Sequence, residues 1–281
     1  MSGPLLEGRN ITVRFGRGSD AFEAVRDASL SLNPAEIVGV VGESGSGKTT
    51  LARALVGLQP TVSGTVLLEG SQVSAPHSRE HVPKNERWKV QMVFQDPYSS
   101  LNPRMRAWSA VAEALQVWRG LTRKQARTEA FSLLQSIGID ESQARRFPRA
   151  LSGGQRQRVS IARALAPEPK VLIADEPTSA IDQSAQARLA NLLRRLRSRR
   201  NLAILFISHD LALVRYLTSR VHVMRRGRIV EAGPTEKVLR KPRHAYTRAL
   251  LESLPGRGGL GSAGFQPPIR WERRGTESPA S

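Results

Sequence analysis

At 281 residues the chain can bury one large core, or a core with a subdomain. It holds no cysteine, which excludes disulfides, thiolate zinc sites and cysteine-ligated iron–sulfur clusters. Its 36 Arg and seven Lys outweigh 24 Asp+Glu to give a net charge of +19, which fits nucleic acid, an anionic membrane face or a solvated Arg-rich exterior, and no aromatics interleave the scattered basic residues as base stacking requires.

The first residues, MSGPLLEGRN, lack an apolar signal core, so no targeting segment is expected. Residues 11–15 (ITVRF) and 29–32 (SLSL) alternate like half-exposed strands. Residues 37–41 (IVGVV) form a continuous apolar run of the buried parallel-strand type, followed by the glycine loop GESGSGKT and by Leu51, Leu55 and Leu58 at helical spacing. Residues 90–94 (VQMVF) lead into Gln95. From about Asp96 to Leu151 the patterns Val111, Leu115, Trp118 and Phe131, Leu134, Ile137 predict an inserted helical subdomain. A helix start follows at Ser152, with Val159, Ala162 and Leu165 along its length.

Residues 171–174 (VLIA) and 202–207 (LAILFI) are two more buried strands, ending in Asp175-Glu176 and Ser208-His209. The second is the longest clean apolar run and is far too short to span a bilayer. Residues 221–224 and 228–230 read as a hairpin about Arg226-Gly227. From Pro255 the chain is rich in Gly, Pro, Arg and Ser, which predicts a mobile tail. The pattern predicts an α/β domain over 1–254, with the helical insertion at about 96–151 and the tail at 255–281. Polar residues at strand C-termini stand where open α/β sheets place ligands.

Gly42 to Thr49 match GxxxxGK(S/T) in the strand-to-helix setting that a phosphate loop needs. Its glycines let backbone N–H groups converge on phosphate oxygens, and the helix beginning near Lys48 adds its positive end. Lys48 is expected at the β and γ phosphates and Thr49 Oγ1 on Mg²⁺. Asp175 suits the Mg²⁺ shell and Glu176 a general base, although such a pair can also cap the next helix. Ser152 and Gln155 can form a capping box, yet Gly153 and Gly154 each cost about 1 kcal/mol against alanine in a helix. Close approach of an anion to bare N–H groups accounts for both glycines.

GESGSGKT, LSGGQRQ and VLIADEP, in this order, resemble the ATP-binding-cassette (ABC) ATPases over about residues 5 to 255. The resemblance implies a P-loop NTPase (RecA-like) core with an N-terminal antiparallel β subdomain and an inserted helical subdomain, with ATP and Mg²⁺ as cofactors. Gly42, Glu43, Ser44, Gly45, Ser46, Gly47, Lys48, Thr49 and Thr50 would surround the phosphates. Ser152, Gly153, Gly154 and Gln155 would close over the ATP held by another subunit. The same resemblance places Gln95 at Mg²⁺ and water, with a link to the membrane subunit. It also places His209 at the γ-phosphate, Asp182 in the loop that communicates across the dimer, and Phe15, with Phe22 as rival, on the adenine.

MVFQDPYSSLNP and the ending GRIVEAGPTEKVLRKPRHAYTRALLESLP are similar to the ATP-binding subunits of oligopeptide, dipeptide and nickel importers. Ala35 departs from a usual glycine, Ile181 and Gln183 from the common Leu and Val, and Ala245 from a Pro. The resemblance implies ATP hydrolysis driving import of peptides, nickel or metal chelates. Its implied setting is peripheral, on the cytoplasmic face of a bacterial inner membrane, with two permease subunits. A second cassette, different or identical, completes it, with an extracytoplasmic binding protein served indirectly. A nucleic-acid or ribosome-associated ABC protein would usually carry paired cassettes, coiled-coil insertions or zinc cysteines, so no nucleic acid is expected. An accessory ATPase of a soluble enzyme complex, as in phosphonate breakdown, is the other alternative.

Overall fold

The computed structural model describes residues 3–16, 18–74, 86–96, 100–179 and 181–253, and the expected C-terminal tail lies outside them. In chain order the strands are β1 (Leu6–Phe15), β2 (Phe22–Leu32), β3 (Ile37–Val41), β4 (Ser63–Leu68), β5 (Ser71–Ser74), β6 (Val90–Val93), β7 (Val171–Asp175), β8 (Ala203–Ile207), β9 (Arg220–Arg225) and β10 (Arg228–Pro234). The helices are α1 (Lys48–Leu55), α2 (Ala107–Arg119), α3 (Arg123–Ser136), α4 (Glu141–Ala144), α5 (Gly153–Leu165), α6 (Gln183–Arg200), α7 (Leu211–Leu217), α8 (Thr235–Arg240) and α9 (Ala245–Glu252).

Two sheets result: an antiparallel one in the order β2-β1-β4-β5, and a second in the order β10-β9-β3-β8-β7-β6, parallel except for β10. In the second sheet, residues pointing to alternate faces enter different cores. Ile37, Val41, Leu172, Ala174, Ile204 and Phe206 pack with the helices around α2, α3 and α5. Val38, Val40, Val171, Ile173, Leu205 and Ile207 pack with α1 and the antiparallel sheet. Every one of these side chains is fully or almost fully buried, which explains the unbroken apolar runs of the central strands.

The hairpin about Arg226-Gly227 forms as expected, both residues taking positive φ (47° and 82°) as a tight two-residue turn requires. The helix read through Leu58 is shorter than its spacing suggested. It ends at Leu55 because Gly57 (φ 73°) takes the left-handed C′ position, with Leu58 N–H donating to Arg53 O and Gly57 N–H to Ala54 O. Leu58 is consequently exposed. Strands β4 and β5 are additions to the sequence reading. Their only local signal is the Glu69-Gly70 turn (φ 52° and 80°), and their strand character comes from pairing with β1. Among the described residues, no helix is long and apolar enough to cross a membrane.

Candidate functional site

The parallel order brings the C-terminal ends of β3, β6, β7 and β8 to one edge of the sheet. At that edge opens a cleft of about 940 Å³, lined by Phe15, Phe22, Glu23, Ala24, Arg26, Ser44, Gly45, Gly47, Lys48, Thr49, Thr50, Gln95, Glu176, His209, Arg226 and Gly227. The glycine loop leaves β3 and turns directly into α1. Gly42 (φ 153°) and Gly47 (φ 105°) are required there, since a Cβ would lie 2.1 Å from Met224 O and 2.3 Å from Ala24 O respectively. Gly42 and Ser46 are buried behind the lining and Glu43 faces outward.

Lys48 is buried, and its Nζ donates to Gly42 O at 2.8 Å and Glu43 O at 2.9 Å, with Glu176 Oε1 3.9 Å away. Thr49 Oγ1 donates to Asp175 Oδ1 at 3.1 Å. The Glu176 carboxylate stands at the centre of the group. Its Oε2 accepts from Gln95 Nε2 at 3.1 Å and lies 3.4 Å from His209 Nδ1. Side chains that follow β3, β6 and β8 therefore meet the one carboxylate that follows β7.

Desolvation acts on both signs of charge here. Burial lowers the Lys48 pKa, opposed by the Glu176 and Asp175 carboxylates, and burial raises that of Asp175, with the neighbouring Glu176 adding to it and the Thr49 hydroxyl opposing. Glu176 also holds a left-handed backbone (φ 42°), a conformation that costs about 1 to 3 kcal/mol for a residue with a side chain and collects at sites where geometry is imposed.

The Thr49 hydroxyl and the Asp175 carboxylate are hard oxygen donors that converge, as a Mg²⁺ shell needs. Among the described residues no group of three or more His, Cys, Asp or Glu converges as a metal cage. Mg²⁺ in nucleotide sites usually takes one or two carboxylates plus substrate phosphates, so the donor set fits.

Phe15 and Phe22 are not exclusive choices. Their rings stack at 5.6 Å between centroids, and both line the cleft. Arg26, Arg226 and Gly227 had not been anticipated at the site. The hairpin tip reaches it through Arg26 N–H donating to Gly227 O at 2.7 Å and Gly227 N–H to Ser46 O at 2.9 Å, contacts between segments too distant in sequence to leave a local signal.

Ser152, Gly153, Gly154, Gln155 and Asp182 do not line this cleft. They form a separate surface at the starts of α5 and α6. Ser152 Oγ accepts from Gln155 N–H at 3.3 Å while Ser152 N–H donates to Gln155 Oε1 at 2.8 Å, a complete capping box. Asp182 caps α6 by accepting from Ala185 N–H at 2.9 Å, and the Ser184 hydroxyl hydrogen bond holds its carboxyl below the usual range. A Cβ on Gly154 would come within 3.1 Å of Ala185 Cβ, so close helix packing is a reason for that glycine in its own right.

Residues 25–179 match the family described as ABC transporter, and residues 230–262 match the oligopeptide/dipeptide transporter C-terminal region. The chain is 41% identical over 256 residues to the oligopeptide transport ATP-binding protein OppF of Bacillus subtilis, covering 91% of this chain and 84% of that protein. It is 43% identical over 256 residues to the dipeptide transport ATP-binding protein DppF of Lactococcus lactis subsp. cremoris, covering 89% and 81%. The dimeric post-hydrolysis structure of the ATP-binding cassette MJ0796, bound to ADP and Pi, superimposes with a TM-score of 0.72 at 27% identity, covering 82% of this chain and 98% of that one.

Proposed function

The chain belongs to the ABC transporter family of ATP-binding cassettes, and from that premise we propose that it is the ATP-hydrolysing subunit of a peptide importer. The observation that carries the chemistry is the meeting of Lys48, Gln95 and His209 on the Glu176 carboxylate, beside the Thr49–Asp175 pair.

The loop N–H groups and Lys48 bind the ATP phosphates, and the Phe15–Phe22 stack offers its face to the base. Thr49 and Asp175 would hold Mg²⁺, which when bound neutralises charge on the phosphate oxygens. Glu176 accepts a proton from a water whose oxygen bonds to the γ-phosphorus as the bond to the β-phosphate oxygen breaks, leaving ADP and phosphate. Gln95, which stands against that carboxylate, would also reach Mg²⁺ and the attacking water, and His209 beside it would reach the γ-phosphate. Ser152, Gly153, Gly154 and Gln155, which stand off the chain's own cleft, cover the ATP of a second cassette, a different polypeptide or another copy, and Asp182 sits beside them at the shared face.

The cassette pair docks on two permease subunits at the cytoplasmic face of the inner membrane. Gln95 and the helices of residues 96–151, acting as an inserted helical subdomain of the domain 1–254, transmit closure to them. Affinity purification of the full chain from mildly solubilised membranes tests this. Two permease subunits and a second cassette should accompany it, and uptake of labelled peptides should stop when the chain is deleted. Recovery with a soluble enzyme complex, with peptide uptake intact, would overturn the importer reading.

A further inference from the structure

The phosphate loop is braced from outside its own strand and helix by a residue 203 positions further on. Glu43 N–H donates to Tyr246 Oη at 3.0 Å. Tyr246 lies in the first turn of α9 and is only 5% exposed, its ring under the Arg225 guanidinium at 4.8 Å. Its own N–H donates to His244 Nδ1 at 3.1 Å. Just before it, the N–H groups of Arg243 and His244 donate to the two oxygens of Glu231 on β10, at 2.8 and 3.0 Å. The phenol is thus anchored to the sheet and aimed at the loop.

The bond falls on a particular peptide unit. Glu43 N–H and Gly42 C=O belong to one planar group whose N–H and C=O point in opposite directions. Tyr246 takes the N–H, and Lys48 Nζ donates to the C=O at 2.8 Å. Rotation of that plane would move the acceptor away from the ammonium, and on its other side Gly42 faces the Met224 carbonyl so closely that a Cβ there would lie 2.1 Å from it. A phenylalanine would fill the same space and hold the same cation, but it could not accept the bond.

We propose that Tyr246 is a positioning residue for ATP binding, fixing the peptide plane between Gly42 and Glu43 and, through it, Lys48, so that the C-terminal segment sets the affinity of the phosphate loop. This rests on the reading of Gly42–Thr49 as the ATP-binding loop. The residue acts through the loop and does not itself touch nucleotide.

The test is equilibrium titration of the full chain with a fluorescent ATP analogue, comparing wild type, Tyr246→Phe and Tyr216→Phe at a temperature where all three are folded. Tyr216 is the control, because its hydroxyl also makes a hydrogen bond, to Asn191 Oδ1 at 2.6 Å, but it does not line the phosphate-loop cleft. One neutral hydrogen bond corresponds to a roughly two- to tenfold loss of affinity in Tyr246→Phe, with Tyr216→Phe unchanged. Amide hydrogen exchange should also quicken at Glu43 in Tyr246→Phe. Wild-type affinity and wild-type exchange at Glu43 in that variant would overturn the inference while leaving the loop's role intact. A wild type that does not bind the analogue would overturn both.

Discussion

In the phosphate-loop cleft, groups from β3, β6, β7 and β8 meet within hydrogen-bond reach of one another, and burial perturbs the charges they carry. At the starts of α5 and α6, Ser152, Gln155 and Asp182 satisfy backbone N–H groups of their own turns, with Ser152 and Asp182 exposed. The first region is a chemical centre assembled within one chain. The second is a polar edge held by its own capping hydrogen bonds, and it stands off the chain's own cleft. Two halves of different sites, one for this chain's ATP and one for a partner's, would show this contrast.

The largest expected effect breaks the first half alone. Glu176→Gln keeps the shape of the group but cannot take a proton, so phosphate release should fall roughly 10²- to 10⁴-fold while affinity for an ATP analogue holds. Turnover within a few-fold of wild type would remove Glu176 from the role of base.

Acid should act next through the sheet that carries the first region. His222 lies on β9, paired with Val40 on the strand that leads into the phosphate loop. Burial, with the nearby Arg220 cation, lowers its pKa from 6.5 to about 4. Between those values the unfolded chain binds a proton that the native chain does not, so stability is fully present above pH 6.5 and declines as pH falls towards 4. The loss is on the order of 3 kcal/mol, and denaturant midpoints from pH 7 to 4.5 should flatten in His222→Asn. An equal pH dependence in the variant would place the acid sensitivity elsewhere.

The smallest effect belongs to the second half. Ser152→Ala removes one cap and should cost about 1 kcal/mol of stability, read as a shift in denaturant midpoint, with nucleotide affinity in the chain's own loop unchanged. A loss of that affinity would join the two regions that the geometry separates.

Local patterns made much of the cleft legible. Buried parallel strands announce themselves as apolar runs, and the residues after them, Asp175, Glu176 and His209, fall at the site because strand ends share one edge. Glycine punctuation worked at Gly42 and Gly47, where backbone crowding leaves no alternative. Leucine spacing misled at Leu58, where it continues past a helix that Gly57 ends. Arg226 and Gly227 were not legible as lining of the cleft, nor Tyr246 as a partner of the loop, because contacts made across most of the chain length leave no periodicity to read. Gly154 carried an ambiguity in the sequence, and the fold supplies one reason for the missing Cβ, close packing on Ala185.

The most direct measurement of whether the Ser152 edge serves another subunit's ATP is turnover by Ser152→Arg, alone and mixed with Lys48→Ala, across a dilution series. Ser152→Arg should bind an ATP analogue like wild type and yet lose turnover. Lys48→Ala should bind it roughly 10- to 100-fold more weakly. If the chain pairs with itself, mixing the two variants restores one site with an intact loop and an intact edge, and part of the rate returns. If it pairs with a different cassette, activity returns to Lys48→Ala only when that partner supplies the intact loop. Wild-type turnover by Ser152→Arg, undiminished per molecule at a dilution where the chain is strictly monomeric, would contradict the division of labour between the two regions.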